Sequence, residues 1–141
     1  MIIKIAETNK EINDAFYIRK TVFVKEQHVP LSIEMDDYDN EAIHFIGYLN
    51  DVPILAGRLR FVNDYGKLER ICVLKEHRGK SFGKHVIQKM ESTVKRHGYD
   101  KAVLNAQEHA IDFYKKLGYH VISKSFIDAG IPHVTMEKHI A

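Results

Sequence analysis

One cysteine, Cys72, is all the chain holds. No intramolecular disulfide can form, and a reducing, cytoplasmic setting is expected. Charge of either sign is in little excess: the net value is +2 with histidine neutral, too small to argue for a nucleic-acid partner. Long apolar runs are missing. No stretch nears the roughly 18 residues of a transmembrane span, and "MIIKIAETNK" lacks the apolar core of a signal peptide, so no membrane partner is expected. Nine histidines are present, yet no pair stands as H-x-x-x-H and no second cysteine supports them. No metal site is therefore expected. Repeats, linkers and low-complexity segments are absent too. What remains is a chain of 141 residues, 45% hydrophobic and 28% charged. That balance fits one domain over 1–141, long enough to bury a core without disulfides or metals.

The elements follow from apolar spacing. Residues 2–6 read as a short strand. "TNKE" at 8–11 has the form of a capping box, Thr8 capping and Glu11 reaching back. Ile12, Ala15, Phe16, Val22 and Phe23 then predict a helix over 9–25. The acidic stretch 28–42, with Pro30, reads as a loop holding at most a turn of helix. Residues 43–49 and 52–62 read as strands joined at Asn50-Asp51, a hairpin turn, and 67–74 as a third strand. The period then changes: Phe82, Val86, Met90 and Val94 predict a helix over 81–97. A strand at 101–105 follows, then a helix carrying Ala110, Phe113, Tyr114 and Leu117. Two closing strands lie at 119–127 and 132–138. A meander followed by β-α-β-α-β-β predicts an α/β (α+β) domain with a mixed sheet.

The segment "ERICVLKEHRGKSFGKHVIQKM" at 69–90 runs from strand through a basic, glycine-containing turn into a helix. A helix N-terminus carries unpaired N–H groups and partial positive charge. Gly79 and Gly83 let a ligand approach the backbone, and Arg78, Lys80 and Lys84 add charge. Such a turn suits a phosphate or pyrophosphate; it equally suits a plain strand-to-helix turn with solvated basic residues. It is neither a P-loop nor G-x-G-x-x-G.

This turn resembles the coenzyme A site of the GNAT acetyltransferase superfamily, whose signature is [Q/R]-x-x-G-x-[G/A]. Arg78 takes its first place and Gly83 its last; Ser81 stands where the family usually has glycine. A second element, "LNAQEHAIDFYKKLGYHVI" at 104–122, resembles what that family carries after its second parallel strand. "IRKTVFVKEQHVP", "EMDDYDNEAIHFIGY" and "DAGIPHVTM" resemble its small bacterial ElaA/YjcF-type branch. The resemblance implies the GNAT fold. That fold has a mixed central sheet of about six to seven strands with a splayed parallel pair, flanked by about four helices. The implied activity is that of an acetyl-CoA-dependent N-acetyltransferase acting on a small primary amine, as monomer or homodimer. A protein lysine or N-terminus is an alternative acceptor. A coenzyme A-binding sensor without turnover is the alternative from another class, kept open by Ser81.

By the same resemblance, the backbone of Ile71, Cys72 and Val73 would pair with pantetheine. The pyrophosphate would sit on N–H groups from Arg78 through Gly79, Lys80, Ser81, Phe82 and Gly83 to Lys84. Ser81 is expected to be tolerated there, its N–H on the ligand and its hydroxyl capping the helix or meeting the ligand. Asn105 would face the splayed gap. Tyr114 takes the family's position for the acid that protonates the departing thiolate; its alternative is a packed helix residue. Strand parity puts Lys67, Glu69, Ile71 and Val73 on one face. The resemblance, in which some relatives place a base four or six positions before the residue matching Val73, makes Glu69 the candidate base; its alternative is an ion-pair partner of Arg58 or Arg60. His44 and His133 are rival bases, or structural. Acceptor contacts are expected from the 26–38 segment, Glu26 included, where Glu34, Asp36, Asp37 and Asp39 form either an acidic rim or a solvated loop. Arg19, Arg58 and Arg60 are candidates to hold an acidic group on the acceptor. Cys72, of opposite parity to Glu69 and Val73, reads as a buried packing residue rather than a nucleophile.

Overall fold

A computed structural model describes residues 1–140 of the chain. The first strand, β1 (Ile2–Ile5), leads into α1 (Asn9–Arg19) through the expected capping box. Thr8 Oγ1 accepts from the Glu11 amide at 3.1 Å, and Glu11 Oε1 accepts from the Thr8 amide at 3.1 Å. The helix does not stop at Arg19. Lys20–Glu26 continues it with π spacing, and the Gln27 amide donates to the Val22 carbonyl at 3.1 Å. Helical apolar spacing locates this region, but the wider turn leaves no mark in that spacing.

The 28–42 stretch holds one helical turn, α2 (Leu31–Glu34), and a 3-10 turn, Asp37–Asn40, capped by Asp36. Then comes the meander β2 (Ile43–Leu49), β3 (Val52–Val62) and β4 (Tyr65–Val73). Asn50 and Asp51 both take positive φ, 50° and 66°, the backbone that a two-residue turn between twisted strands needs. α3 (Phe82–Arg96) crosses to β5 (Lys101–Gln107), and α4 (Ile111–Lys116) follows after a 3-10 turn. The closing stretch differs from expectation. Residues 119–127 split into β6 (His120–Val121) and β7 (Phe126–Asp128), both paired with β8 (Ile131–His139). The sheet therefore has eight strands, in the order β1-β2-β3-β4-β5-β8-β6 with β7 on β8.

Two cores flank this sheet. On one face, Val86, Ile87, Met90 and Val94 of α3 pack on Phe45, Leu59, Leu68 and Leu104, with Ile111, Tyr114 and Leu117 alongside. On the other, Ala15 and Ile18 of α1 and Val22 pack on Ile46, Ala56 and Cys72. Gly66 lets α3 press close, since a Cβ there would stand 2.4 Å from a Val94 methyl.

Among the described residues only β4 and β5 pair in parallel, and only over Gly66↔Ala102, Lys67↔Val103 and Leu68↔Leu104. Beyond Leu68 and Leu104 the two strands part. β5 then pairs only with β8, and β4 only with β3.

Candidate functional site

The parting of β4 from β5 opens a cleft that runs from the sheet to the N-terminus of α3. A bulge shapes its β4 wall. The β3–β4 register slips between Ala56 and Arg58, so that Arg70 and Ile71 together face Gly57. Arg70 takes φ 55° at that place, the left-handed first residue of a bulge. The extra residue reverses the alternation of side chains. Ile71 and Val73 pack toward α3 with Leu68, whereas Cys72 packs toward α1 and Glu69 meets Arg58 and Arg60 on that same side. Glu69 and Cys72 thus share a face, and Ile71 and Val73 take the other. Uninterrupted period-2 counting put Glu69 with Val73; it fails because the bulge consumes one residue.

The basic turn forms the cleft's end. Gly79 (φ 79°) and Ser81 (φ 67°, ψ 11°) both lie in the left-handed region. This explains the glycine usual in the family at Ser81's place: the backbone there is one that a Cβ disfavours. Ser81 is the N-cap residue of α3, yet its side chain makes no capping hydrogen bond, so the expected cap does not form. Nothing stands within 4 Å of a Cβ built on Gly79. Among the described residues Lys80 and Lys84 have no ion-pair partner and are exposed. Phe82 and Gly83 open α3, and a Cβ at Gly83 would only touch Phe113 at 3.5 Å. Arg78 is placed differently from expectation. Its guanidinium makes a two-point pair with Glu26, 2.6 and 2.8 Å, and its Nε donates to the Val73 carbonyl at 2.9 Å. Arg78 and Glu26, predicted to hold two different ligands, hold each other.

Tyr114 reaches the cleft from α4. Its ring meets Phe113 and Tyr119 edge-on, with centroids 5.1 and 5.9 Å away. Its hydroxyl has no hydrogen-bond partner among the described residues. Burial, with the Cys72 thiol a lesser cause, pushes the phenol up to about 12. Cys72 is buried and its own thiol is pushed up to about 12 by burial. It stays protonated, as expected of a packing residue. Asn105, on β5 just past the last parallel pair, accepts from Thr135 Oγ1 at 2.8 Å through Oδ1, leaving its amide N–H groups for another partner.

A charged network covers the α1 face of β3 and β4. Arg19 and Arg58 are almost wholly buried, at 0% and 1% exposure. Arg19 grips Glu34 at 2.8 Å and Asp39 at 2.7 Å. Arg58 grips Asp36 at 2.6 Å, Asp39 at 2.9 Å and Glu69 at 3.0 Å. Arg60 and Lys67 also meet Glu69, and Arg70 meets Glu34 and Asp36. The network corrects three expectations. Arg19 and Arg58 are buried and spent on Glu34, Asp36, Asp39 and Glu69, so they are not placed to meet an acceptor's acidic group. Glu34, Asp36 and Asp39 are a neutralised, largely buried set rather than an open acidic rim; Asp37 alone of the four is exposed. Glu69 takes the ion-pair alternative with both arginines. Burial raises the Glu69 carboxyl, but the Arg60 hydrogen bond and the charges of Arg58, Arg60 and Lys67 more than offset it, and the net shift is downward. His44 is structural as well: its Nε2 donates to the Asp39 carbonyl at 2.8 Å, and burial pushes its pKa down.

Past Asn105, β5 ends at Gln107, which pairs in register with His133 of β8. Gln107 Nε2 donates to Gln27 Oε1 at 2.9 Å, tying β5 to the residue that ends the π-helical stretch. Sequence reasoning missed Gln27, Gln107, Thr135 and Arg70. Parity would have found Gln107, two residues past Asn105; nothing local announces the other three.

A family profile described as "Acetyltransferase (GNAT) domain" matches residues 5–140. The chain is 48% identical over 135 residues to the uncharacterized N-acetyltransferase YjcF of Bacillus subtilis, covering 95% of this chain and 96% of that one. It is 30% identical over 128 residues to protein ElaA of Escherichia coli, covering 87% and 84%. The crystal structure of Escherichia coli ElaA superposes with a TM-score of 0.87 at 23% identity, over 98% of this chain and 99% of that one. An aminoglycoside 6'-N-acetyltransferase solved with coenzyme A shares the fold at a TM-score of 0.75 and 16% identity, over 100% and 98%.

Proposed function

The chain belongs to the GNAT acetyltransferase family and is an acyltransferase, and from that premise we propose that it moves the acetyl group of acetyl-CoA to a primary amine of a small-molecule acceptor by direct attack. The observation that carries this reading is the parting of β4 and β5 after Leu68↔Leu104. It leaves one edge of Glu69–Val73 without a strand partner at the place where the α3 N-terminus and Tyr114 converge. An extended chain of amides fits such an edge as an added strand.

The residues present fit the co-substrate. N–H groups from Gly79 to Lys84, with the unpaired Lys80 and Lys84, would hold its pyrophosphate. The backbone of Ile71, Cys72 and Val73 would pair with its pantetheine, and Asn105's free amide would meet the thioester end. Tyr114 would supply the proton that the departing thiolate needs. A phenol pushed up to about 12 is fully protonated near neutrality and ready to donate. Arg78's charge is spent on Glu26, so the turn's backbone and lysines carry the phosphate contacts. Ser81 keeps the glycine-like backbone of the family's turn, which supports coenzyme A binding there.

Thermal shift with acetyl-CoA and with free coenzyme A tests the reading first. A rise with either supports the cofactor site; no rise with either overturns it. Thiol release from acetyl-CoA across a panel of amino acids, aminosugars, polyamines and peptides, with the acetylated product weighed by mass spectrometry, then separates the acceptors. Binding without thiol release anywhere in the panel points to the sensor.

A further inference from the structure

We propose that His133 is the catalytic base of this reaction, with Nε2 taking the proton that the attacking amine must lose. The inference rests on the acetyltransferase reading above.

Four observations carry it. His133 stands on β8 opposite Gln107, two residues beyond Asn105 at the open end of the split. Antiparallel partners share a face, so His133 lies on the side of Asn105, Thr135 and Gln107, away from the Leu104 and Ala106 core. Tyr114 enters from the opposite, α3–α4 side. A thioester lying in the gap is then reached by phenol and imidazole from opposite faces. The ring is also held in one state. Nδ1 lies 2.6 Å from the Ile131 carbonyl, which can only accept, so Nδ1 carries the hydrogen and Nε2 the lone pair. Phe126 stacks on the ring at 6.0 Å and 23°. Finally, Nε2 has no protein partner among the described residues and is not among the wholly buried unpaired polar atoms, so it keeps some access although His133 as a whole is only 8% exposed.

The alternatives are spent. Glu69 is held by Arg58, Arg60 and Lys67, and His44 is buried under Asp39. The groups facing His133 in register, Gln107 and Phe126, are uncharged. The titratable groups on those strands are Lys101 at the far end of β5 and Asp128 on β7; on the turn after β5 are His109, whose Nε2 meets Gln107 Oε1 at 2.7 Å, and Glu108, which accepts from Ser125.

The protons balance. An acceptor arriving as an ammonium ion brings three. One goes to Nε2 and on to solvent, freeing the lone pair that forms the N–C bond. The C–S bond breaks, and Tyr114's proton goes to sulfur. A second proton of the nitrogen restores the phenol, and the third stays on the amide.

The test uses the full chain and His133→Asn. Asparagine keeps a donor where Nδ1 stood and has nothing where Nε2 stood. Thiol release from acetyl-CoA is followed against pH with water and with saturating amino-acid, aminosugar and polyamine acceptors. The expected result is unchanged acetyl-CoA affinity and melting temperature, a rate lower by roughly 10²-fold, and loss of the acid limb of the wild-type pH–rate profile. His133→Gln, which lacks the donor to Ile131, should lose the same limb. Wild-type rate and profile in His133→Asn overturn the assignment while leaving the acetyltransferase reading intact. A wild type that binds acetyl-CoA but releases no thiol overturns both.

Discussion

Arg60 holds Glu69 at two points across the β3–β4 ladder, Nε to Oε1 at 2.7 Å and Nη2 to Oε2 at 3.0 Å. Glu69→Gln removes that carboxylate and leaves Arg58 with Asp36 and Asp39 alone. The expected loss is about 2 kcal/mol, short of the roughly 3–5 kcal/mol for stripping a buried charge of every partner. The sign with pH follows from the lowered carboxyl. Its contribution is full above the unfolded value of about 4.3 and fades as pH falls through the lower folded value. Urea melts from pH 7 down to pH 3 should show the two proteins converging as the medium becomes acid; a constant gap would be wrong for this pair.

Arg19→Met should cost more. Glu34 and Asp39 would lose their fully buried partner, and about 3–5 kcal/mol is expected. Burial raises the Asp39 carboxyl, but Arg19 and Arg58 together hold it at about 2. Its contribution in the wild type therefore vanishes only between about pH 4 and pH 2. In the variant, limited proteolysis should cut first within 31–40, the segment that Arg19 fastens to the sheet. Cleavage no faster than in the wild type would contradict that fastening.

Ser81→Gly relieves a left-handed backbone at φ 67°. A gain of about 0.5–1 kcal/mol is expected after the entropy that glycine returns to the unfolded chain, seen as a melting temperature raised by about 2–4 °C. Ser81→Ala should leave stability as it is, because the hydroxyl caps nothing. Equal melting of all three proteins would place the strain elsewhere. Calorimetry with acetyl-CoA on the same samples reads whether the turn's affinity tightens with glycine.

Tyr114→Phe deletes a hydroxyl without a protein partner. Stability should move by less than about 0.5 kcal/mol, and thiol release should fall by roughly 10²-fold at unchanged acetyl-CoA affinity. Because the phenol sits at about 12, its ionisation gives the wild type no alkaline limb below about pH 11. Full activity in the variant would return Tyr114 to a packing role.

The elements were legible wherever the signal was local. Thr8 and Glu11 capped α1, Asn50 and Asp51 made the hairpin, and the four-residue recurrence from Phe82 to Val94 marked α3. What escaped was set at a distance or by one extra residue. Arg70's bulge reversed the faces of Ile71 and Val73 because period-2 counting assumes an unbroken ladder. The π spacing of Lys20–Glu26 left the apolar pattern of Val22 and Phe23 intact. Arg19 meets carboxylates 15 and 20 positions away, and no local pattern distinguishes such a pair from solvated charges. The same holds for Arg78 and Glu26, 52 positions apart. Residues 119–127 read as one strand because their apolar content is continuous; only the shared partner β8 reveals two.

The short seam between β4 and β5 has a mechanical meaning. Three residue pairs, Gly66 to Leu68 against Ala102 to Leu104, join β1–β4 to β5–β8 along the sheet. The sheet is in effect two four-stranded plates riveted at one end and free at the other. A ligand seated in the free end serves as the missing splice, and its amides would carry load from plate to plate. A co-substrate seated there would thus also be a structural member; without it the two plates meet within the sheet only at the rivet, and α3 packed across both is left to bridge them.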